Sequence, residues 1–211
     1  RCLKPFLGSD ILEVGAGLGI NTKLLCNPSY NQWLAIEPDN NMITDLTNQQ
    51  EAGVFPDNCE FRETTIQSLL DTELFDTIMY IDVLEHIKHD SQELIDAATH
   101  LSPGGYLIVL SPAYQYLYTS FDKAIGHYRR YTANMMSDIT PPECRIEKIF
   151  YLDSVGLLAS LGNQMFLKQS EPSRQQILFW DRMMVPLSYS IDWIIRYRAG
   201  RSVIAVWQKE I

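Results

Sequence analysis

Long apolar runs are missing from this sequence. The two longest candidates, residues 76–84 and 105–113, are interrupted by a charge, a glycine or a proline well before the roughly 20 residues that a membrane span requires. We therefore expect no transmembrane segment. The chain begins at Arg1 without a basic-then-apolar leader, so we expect further residues upstream rather than a processed secretion signal.

Cysteine is scarce, and its spacing excludes two common uses. The four cysteines are far apart and form no CxxC pair, which argues against a zinc site and against a disulfide framework. This usage favours a reducing compartment, and we expect a cytoplasmic protein. The four residues are Cys2, Cys26, Cys59 and Cys144.

Positive charge is scarce in the first half of the chain. The net charge is −9, and because binding to phosphate backbones needs a basic face, we expect no nucleic-acid partner. Residues 1–110 carry 5 Lys and Arg against 17 Asp and Glu, whereas residues 111–211 carry 12 against 9. The acidic half suits a cationic cofactor and the basic half an anionic acceptor, although solvated surface charge explains most such imbalances.

Short apolar segments alternate with helix-length segments through the first half. Apolar strands separated by helices predict a parallel sheet covered on both faces, so we expect an α/β, Rossmann-like fold with a seven-stranded, mostly parallel sheet. A helix over Asp90 to Leu101 is expected to stop at a turn formed by residues 102–105. The predicted strands are 10–14, 33–37, 59–63, 75–81, 105–111, 145–152 and 202–209.

The length of 211 residues predicts a single domain over 1–211. We divide it into a cofactor-binding core (1–112), a lid over the acceptor site (113–144) and the last strands (145–211). The last part contains a helical insertion, 153–201, before the final strand. Mixed three- and four-residue apolar spacing makes this insertion a packed helical cap, with a lipid-facing surface or a homodimer contact as alternatives.

A glycine-rich loop follows the first strand. Glycines let the backbone adopt unusual dihedrals and approach a ligand closely. Glu37 ends the second strand, twenty residues beyond Gly17, where a carboxylate can accept both hydroxyls of a ribose. The loop reads GxGxG rather than the dinucleotide pattern GxGxxG. Glu13, expected at its mouth, would repel a diphosphate but tolerate or attract a ligand with ammonium and sulfonium groups.

Four stretches resemble, in order and spacing, the motifs of class I S-adenosylmethionine-dependent methyltransferases: ILEVGAGLGINTKLL, LAIEPDNNM, FDTIMYIDVLEHI and LSPGGYLIVLSP. The resemblance covers residues 8–112 and implies S-adenosylmethionine as the cofactor. It assigns loop orientation to Glu13 and the ribose to Glu37, and it places a threonine, Thr65, where the family often has an acid facing adenine. The remaining implied cofactor contacts are Gly15, Ala16, Gly17, Gly19, Pro38, Ile66, Asp82 and Val83.

Polar residues follow the fourth strand. If the chain turns helical there, Asp82, Glu85 and His86 share one face and could offer three metal ligands or an acid-base pair. Some quinone-type O-methyltransferases of the resembled family bind a divalent metal with a similar pattern. The alternative is that the acids cap a helix start and His86 lines the pocket, so we expect no metal.

The loop after the fifth strand is aromatic and basic. It resembles a bacterial branch of the family whose substrates are unassigned. Imidazole titrates near neutral pH, so His86 or His127 could take a proton from an alcohol or amine acceptor. Planar guanidinium groups and aromatic faces suit an anionic or sugar-like acceptor, and O-, N- and C-methylation all stay open. The predicted acceptor contacts are Tyr114, Tyr128, Arg129 and Arg130.

Two rival functions remain. A nicotinamide oxidoreductase would share the fold but should show GxGxxG, and a short-chain dehydrogenase would add Tyr-x-x-x-Lys, which this sequence lacks. A noncatalytic cofactor-binding or scaffold subunit would use the apolar insertion 153–201 as its partner surface. The glycine loop and Glu37 argue against the loss of cofactor binding, which makes methyl transfer to a small molecule the expected function.

Overall fold

The computed structural model describes residues 2–162 and 180–211. The strands are β1 (Asp10–Val14), β2 (Gln32–Glu37), β3 (Cys59–Glu63), β4 (Phe75–Ile81), β5 (Leu101–Pro112), β6 (Cys144–Leu152) and β7 (Ser202–Lys209). They form one seven-stranded sheet in the order β3-β2-β1-β4-β5-β7-β6. All neighbours from β3 to β5 are parallel, and β7 is antiparallel to both β5 and β6.

Seven α-helices lie among the described residues: α1 (Ile20–Leu25), α2 (Asn40–Glu51), α3 (Asp90–Thr99), α4 (Ser120–Ala124), α5 (Ala133–Asp138), α6 (Ser154–Gly162) and α7 (Val185–Ile194). Successive strand residues point to opposite faces of the sheet. Leu12 therefore packs in the core beneath α3, while its neighbour Ile11 packs in the core beneath α2. The Rossmann-like fold predicted from the sequence is confirmed.

The predicted boundary between the third helix and the fifth strand is wrong. The helix ends at Thr99, β5 begins at Leu101, and the predicted turn at residues 102–105 lies inside this strand. Phe75 pairs with Leu101 and Thr77 with Tyr106, so a wide bulge separates the two paired segments of β5. The residues Ser102 to Gly105 do bend the chain, but pairing with β4 continues on both sides of the bend.

The predicted helical insertion contains α6, a π-helix over Trp180–Met184 and α7, while its residues 163–179 lie outside the described ranges. The buried Asp192 of α7 accepts hydrogen bonds from the amides of Asp153 (2.8 Å) and Ser154 (2.9 Å), which ties α7 to the start of α6. Trp193 and Ile194 are exposed, and contact with a second copy stays a prediction. None of the helices in the described ranges is long and apolar enough to span a membrane.

Candidate cofactor and acceptor site

A cleft of about 580 Å³ opens at the carboxyl ends of the parallel strands, the edge at which open α/β sheets bind ligands. Three of the predicted cofactor residues, Glu13, Ala16 and Gly19, are buried in the protein instead. The predicted residues that line the cleft are Gly15, Gly17, Glu37, Pro38, Thr65, Ile66, Asp82, Val83 and His86.

The glycine loop needs its glycines for two different reasons. Gly15 and Gly17 have φ angles of +77° and +53°, in the left-handed region that other residues rarely adopt. A Cβ atom on Gly15 would lie 2.5 Å from a methyl of Val83, whereas one on Gly17 would meet no atom within 4 Å. Gly15 therefore allows close packing against the end of β4, and Gly17 leaves open space beside the backbone.

Glu37 connects the glycine loop to the end of β2. Its Oε2 accepts a hydrogen bond from the Gly17 amide at 3.0 Å, and its Oε1 accepts one from the Asp39 amide at 3.3 Å. The side chain still lines the cleft. These two backbone donors hold the carboxylate at the position where the sequence predicts contact with a ribose.

Glu13 does not lie at the mouth of the cleft, so the charge argument based on that position is wrong. Its side chain is 2% exposed, and Oε2 accepts hydrogen bonds from Thr22 Oγ1 (2.7 Å) and Trp33 Nε1 (2.9 Å). Burial raises the pKa of Glu13 to about 7, although these two hydrogen bonds oppose the rise. Glu13 therefore joins β1, α1 and β2 below the loop, and any effect on a ligand is indirect.

Sequence reasoning missed an acidic side chain at the cleft. Glu93, on α3, lines the cleft and accepts hydrogen bonds from Tyr80 Oη at 3.1 Å and from Gln67 Nε2 at 2.7 Å. Its position in the middle of a polar helix gave no local signal. The other lining residues that were not predicted are Val14, Ile36, Met42, Thr64, Gln67 and Ile87.

The chain does not turn α-helical directly after β4. Asp82 adopts a left-handed conformation with φ +54°, and a short 3₁₀ turn covers Leu84 to His86. The predicted helical face of Asp82, Glu85 and His86 is therefore wrong. Glu85, His86 and His127 instead each have one potential metal-ligand atom, and these three atoms lie within 4.8 Å of one another. The expectation that no metal binds here stays a prediction.

His86 and His127 come together although 41 positions separate them. Their ring centroids are 4.5 Å apart with the rings nearly perpendicular. His86 lines the cleft, and burial followed by the charge of His127 lowers its pKa. The His127 side chain is 8% exposed, and its Nε2 lies 3.9 Å from Glu85 Oε1. The two predicted bases thus form one group, with His86 on the cleft side.

Glu85 is a fully buried carboxyl group beside these imidazoles. Its Oε2 accepts a hydrogen bond from Ser111 Oγ at 3.0 Å, while Oε1 has no hydrogen-bond partner among the described residues. Burial raises the pKa of Glu85 to about 7, and the nearby charge of Asp82 adds to the rise. This carboxyl group can therefore exchange a proton near neutral pH.

Both predicted acceptor arginines form ion pairs within the protein. Arg130 donates from Nε to Asp122 Oδ1 at 2.8 Å and from Nη2 to Oδ2 at 2.9 Å, and its side chain is 11% exposed. Arg129 pairs with Asp90 and is 22% exposed. An anionic acceptor would have to compete with these carboxylates, and Arg129 is the more accessible of the two.

Two tyrosines of the lid, residues 113–144, stack with a tyrosine of β6. Tyr114 has φ +65°, and its ring lies 5.1 Å from that of Tyr116 and 5.2 Å from that of Tyr151, with nearly parallel planes. Tyr128, by contrast, is 54% exposed. The two predicted acceptor tyrosines therefore differ: Tyr114 is a partly buried ring within a stack, and Tyr128 is an exposed ring on the surface.

A family model described as "Methyltransferase domain" matches residues 1–150. The ubiquinone biosynthesis O-methyltransferase of Rickettsia felis is 27% identical over 100 residues, which cover 47% of this chain and 40% of that protein. The protein of the same name from Azorhizobium caulinodans is 30% identical over 111 residues, covering 52% and 42%. The chain thus spans about two fifths of the length of these curated relatives.

Solved structures with similar folds include the N-methyltransferase NodS from Bradyrhizobium japonicum WM9 in complex with S-adenosyl-L-homocysteine. It has a TM-score of 0.60 and 15% identity over 98% of this chain and 81% of that chain. An S-adenosylmethionine-dependent methyltransferase from Mesorhizobium loti has a TM-score of 0.65 and 14% identity over 99% and 96%. These similarities show the fold, and the family match covers the strands that form the cleft. The chain therefore belongs to the class I S-adenosylmethionine-dependent methyltransferase family.

Proposed function

We propose that this chain binds S-adenosylmethionine in the cleft and transfers its methyl group to a small acceptor. The observation that carries the proposal is the position of Glu37, which lines the cleft and is bonded to the Gly17 amide. A carboxylate at the end of the second strand can accept both hydroxyls of a ribose. The glycine loop beside it leaves room for the rest of the cofactor.

The lining of the cleft fits this cofactor. A volume of about 580 Å³ is typical of sites for small molecules. Ile36, Met42 and Ile66 provide apolar surface for a purine ring, and the Asp82 carboxylate favours a positively charged group by Coulomb attraction. When bound, the cofactor supplies an electrophilic methyl group on a sulfonium. The protein then has to position the acceptor and remove its proton.

The acceptor that we favour is a small ring compound with a hydroxyl group, of the anionic or sugar-like kind. Support comes from the curated relatives, whose names describe O-methyltransferases of ubiquinone biosynthesis. The stack of Tyr114 on Tyr116 and Tyr151 offers planar surface for such a ring. Arg129 is the arginine that an anionic substituent can reach more easily, since its side chain is the more exposed of the two.

Two side chains of the site can remove the hydroxyl proton. His86 lines the cleft, and His127 contacts it from the lid side. Glu85 lies beside His127, with Oε1 3.9 Å from Nε2, and burial raises the pKa of Glu85 to about 7. We infer that these groups would accept the proton of an acceptor hydroxyl that the site positions for methyl transfer.

A turnover assay tests this proposal. The protein would be incubated with S-adenosylmethionine and a panel of catechols, phenols and hydroxylated sugars, and S-adenosylhomocysteine formation would be measured. We expect His86→Asn to lower turnover by roughly 10²-fold or more. The matched control His89→Asn, at an exposed histidine outside the cleft lining, should have no effect. Binding of S-adenosylhomocysteine without turnover of any acceptor would instead favour a noncatalytic cofactor-binding subunit.

A further inference from the structure

The lid holds the His127 imidazole from its Nδ1 side. Nδ1 lies 3.0 Å from Oδ1 of Asp122. The backbone on either side is also fixed, because the His127 carbonyl accepts a hydrogen bond from Tyr118 Oη at 2.6 Å and the Tyr128 amide donates to the Glu85 carbonyl at 2.8 Å. The ring therefore has one defined orientation toward the site.

The surroundings of Asp122 stabilise its ionised carboxylate. Its side chain is 1% exposed, and it accepts hydrogen bonds from the Thr119 amide and hydroxyl, both at 2.8 Å, and from two guanidinium nitrogens of Arg130. Burial alone would favour the neutral carboxyl, but these donors outweigh it and lower the pKa of Asp122 to about 2. An ionised carboxylate can only accept, so the neutral His127 ring must carry its proton on Nδ1.

The other ring nitrogen then has a free lone pair on the side of the site. Nε2 lies 3.9 Å from Glu85 Oε1, too far for a direct hydrogen bond. One ligand atom each of Glu85, His86 and His127 lie within 4.8 Å of one another, and His86 lines the cleft. His127 is not among the residues that line the cleft, so a hydroxyl group would have to pass His86 to reach this nitrogen.

We propose that Asp122 is a positioning residue, which fixes His127 as its Nδ1–H tautomer and leaves Nε2 to take the proton of the acceptor hydroxyl. The proposal rests on the proposed methyl transfer to a hydroxyl acceptor. In the step, the O–H bond breaks, a bond from Nε2 to the proton forms, and the electron pair stays on the oxygen. Asp122 then stabilises the resulting imidazolium.

The charged and titratable groups around His127 come from several elements. Asp122 lies on α4, Glu85 and His86 in the turn after β4, and Asp82 acts on the imidazole at longer range. Arg130 donates two hydrogen bonds to Asp122, the carboxylate that bonds to the ring. Among these groups, Asp122 forms the short hydrogen bond with the ring, at 3.0 Å. The tautomer of His127 therefore indicates whether Asp122 accepts a proton from Nδ1.

Nitrogen NMR of the imidazole groups tests the proposal. The chain has four histidines, and the signals of His127 can be assigned by their loss in His127→Gln. In wild-type protein above pH 8, we expect one tautomer with the proton on Nδ1. A proton on Nε2, or an equal mixture of both tautomers, would overturn the proposal.

Two variants separate positioning from general support of the lid. Asp122→Asn should lose the single tautomer and lower kcat by roughly 10² to 10⁴-fold, the upper value being that of the same change in a serine protease, with an unchanged KM for S-adenosylmethionine. Thr119→Val removes one hydroxyl donor to Asp122 but leaves the bond to His127, so it should keep the tautomer. An unaltered tautomer in Asp122→Asn would refute the idea.

The same samples distinguish this proposal from the proposed function. If wild-type protein does not bind S-adenosylhomocysteine, the proposed function is refuted. The tautomer of His127 would still test the role of Asp122. If Asp122→Asn does not fold, the wild-type tautomer decides. Shifts of the His86 and His127 signals on addition of Zn²⁺ or Mg²⁺ at micromolar concentration would identify a metal site and overturn the role of Nε2 as proton acceptor.

Discussion

Replacing Glu85 by glutamine should stabilise the protein at alkaline pH. Glu85 is fully buried, and only one of its carboxyl oxygens has a hydrogen-bond partner among the described residues. Glutamine has nearly the same shape and can keep the bond from Ser111 through its amide oxygen. The variant therefore removes a buried charge without leaving a cavity.

The magnitude follows from the raised pKa. Burial raises the pKa of Glu85 from 4.5 to about 7, and each pH unit of displacement corresponds to about 1.4 kcal/mol. Below pH 4.5 the carboxyl is protonated in the folded and unfolded states, so its ionisation does not change the free energy of unfolding. Between pH 4.5 and 7 it ionises first in the unfolded state, and the free energy of unfolding falls by about 3 kcal/mol in total.

Urea unfolding at pH 5 and pH 8 measures this effect. We expect Glu85→Gln to be within about 1 kcal/mol of wild-type stability at pH 5 and to be more stable than wild type by about 3 kcal/mol at pH 8. The control Glu51→Gln, at an exposed position ending α2, should show the same difference from wild type at both pH values. An equal difference for Glu85→Gln at pH 5 and pH 8 would mean that Glu85 ionises normally and that the burial argument fails.

Three further predictions concern the lid, the insertion and metal dependence. Arg130→Ala leaves the buried Asp122 carboxylate without its bidentate partner and should cost about 3–5 kcal/mol of folding stability. Arg129→Ala should cost about 1 kcal/mol or less, because its ion pair is more exposed. Urea unfolding measures both costs, and equal costs would contradict the difference in burial. Asp192→Ala removes the acceptor of two backbone amides and should cost about 1–3 kcal/mol, with wild-type stability as the contrary result. Treatment with a chelator should leave S-adenosylhomocysteine affinity unchanged in calorimetry, and activity restored only by a divalent ion would refute this expectation.

The limits of β1, β4 and β7 could be predicted because these strands are mostly buried, and their apolar runs end at charged or turn-forming residues. The predicted limits of β3 also agree with the structure, although this strand is partly exposed. The start of β5 could not be predicted, because the glycines at 104 and 105 that normally end an element here form a bulge within a strand. Pairing with β4, a long-range interaction, outweighed the local turn preference.

The site was predictable where one loop carries it and unpredictable where distant segments meet. Gly15 and Gly17 lie in the loop after β1, and Glu37 is the last residue of β2, so sequence order placed them at one edge of the sheet. The contact of His127 with His86 depends on how the lid folds back, and no local pattern encodes that path. The helical spacing assumed after β4 failed because Asp82 adopts a left-handed conformation.

Calorimetric titration with S-adenosylhomocysteine tests the central claim most directly. We predict that wild-type protein binds it and that Glu37→Ala weakens binding by about 1–3 kcal/mol through the loss of charge-assisted hydrogen bonds. The control Glu63→Ala, at the end of β3 and outside the cleft lining, should bind like wild type, and NAD should bind to none of them. Unchanged affinity in a folded Glu37→Ala protein, or tight binding of NAD, would contradict the assignment of the cleft.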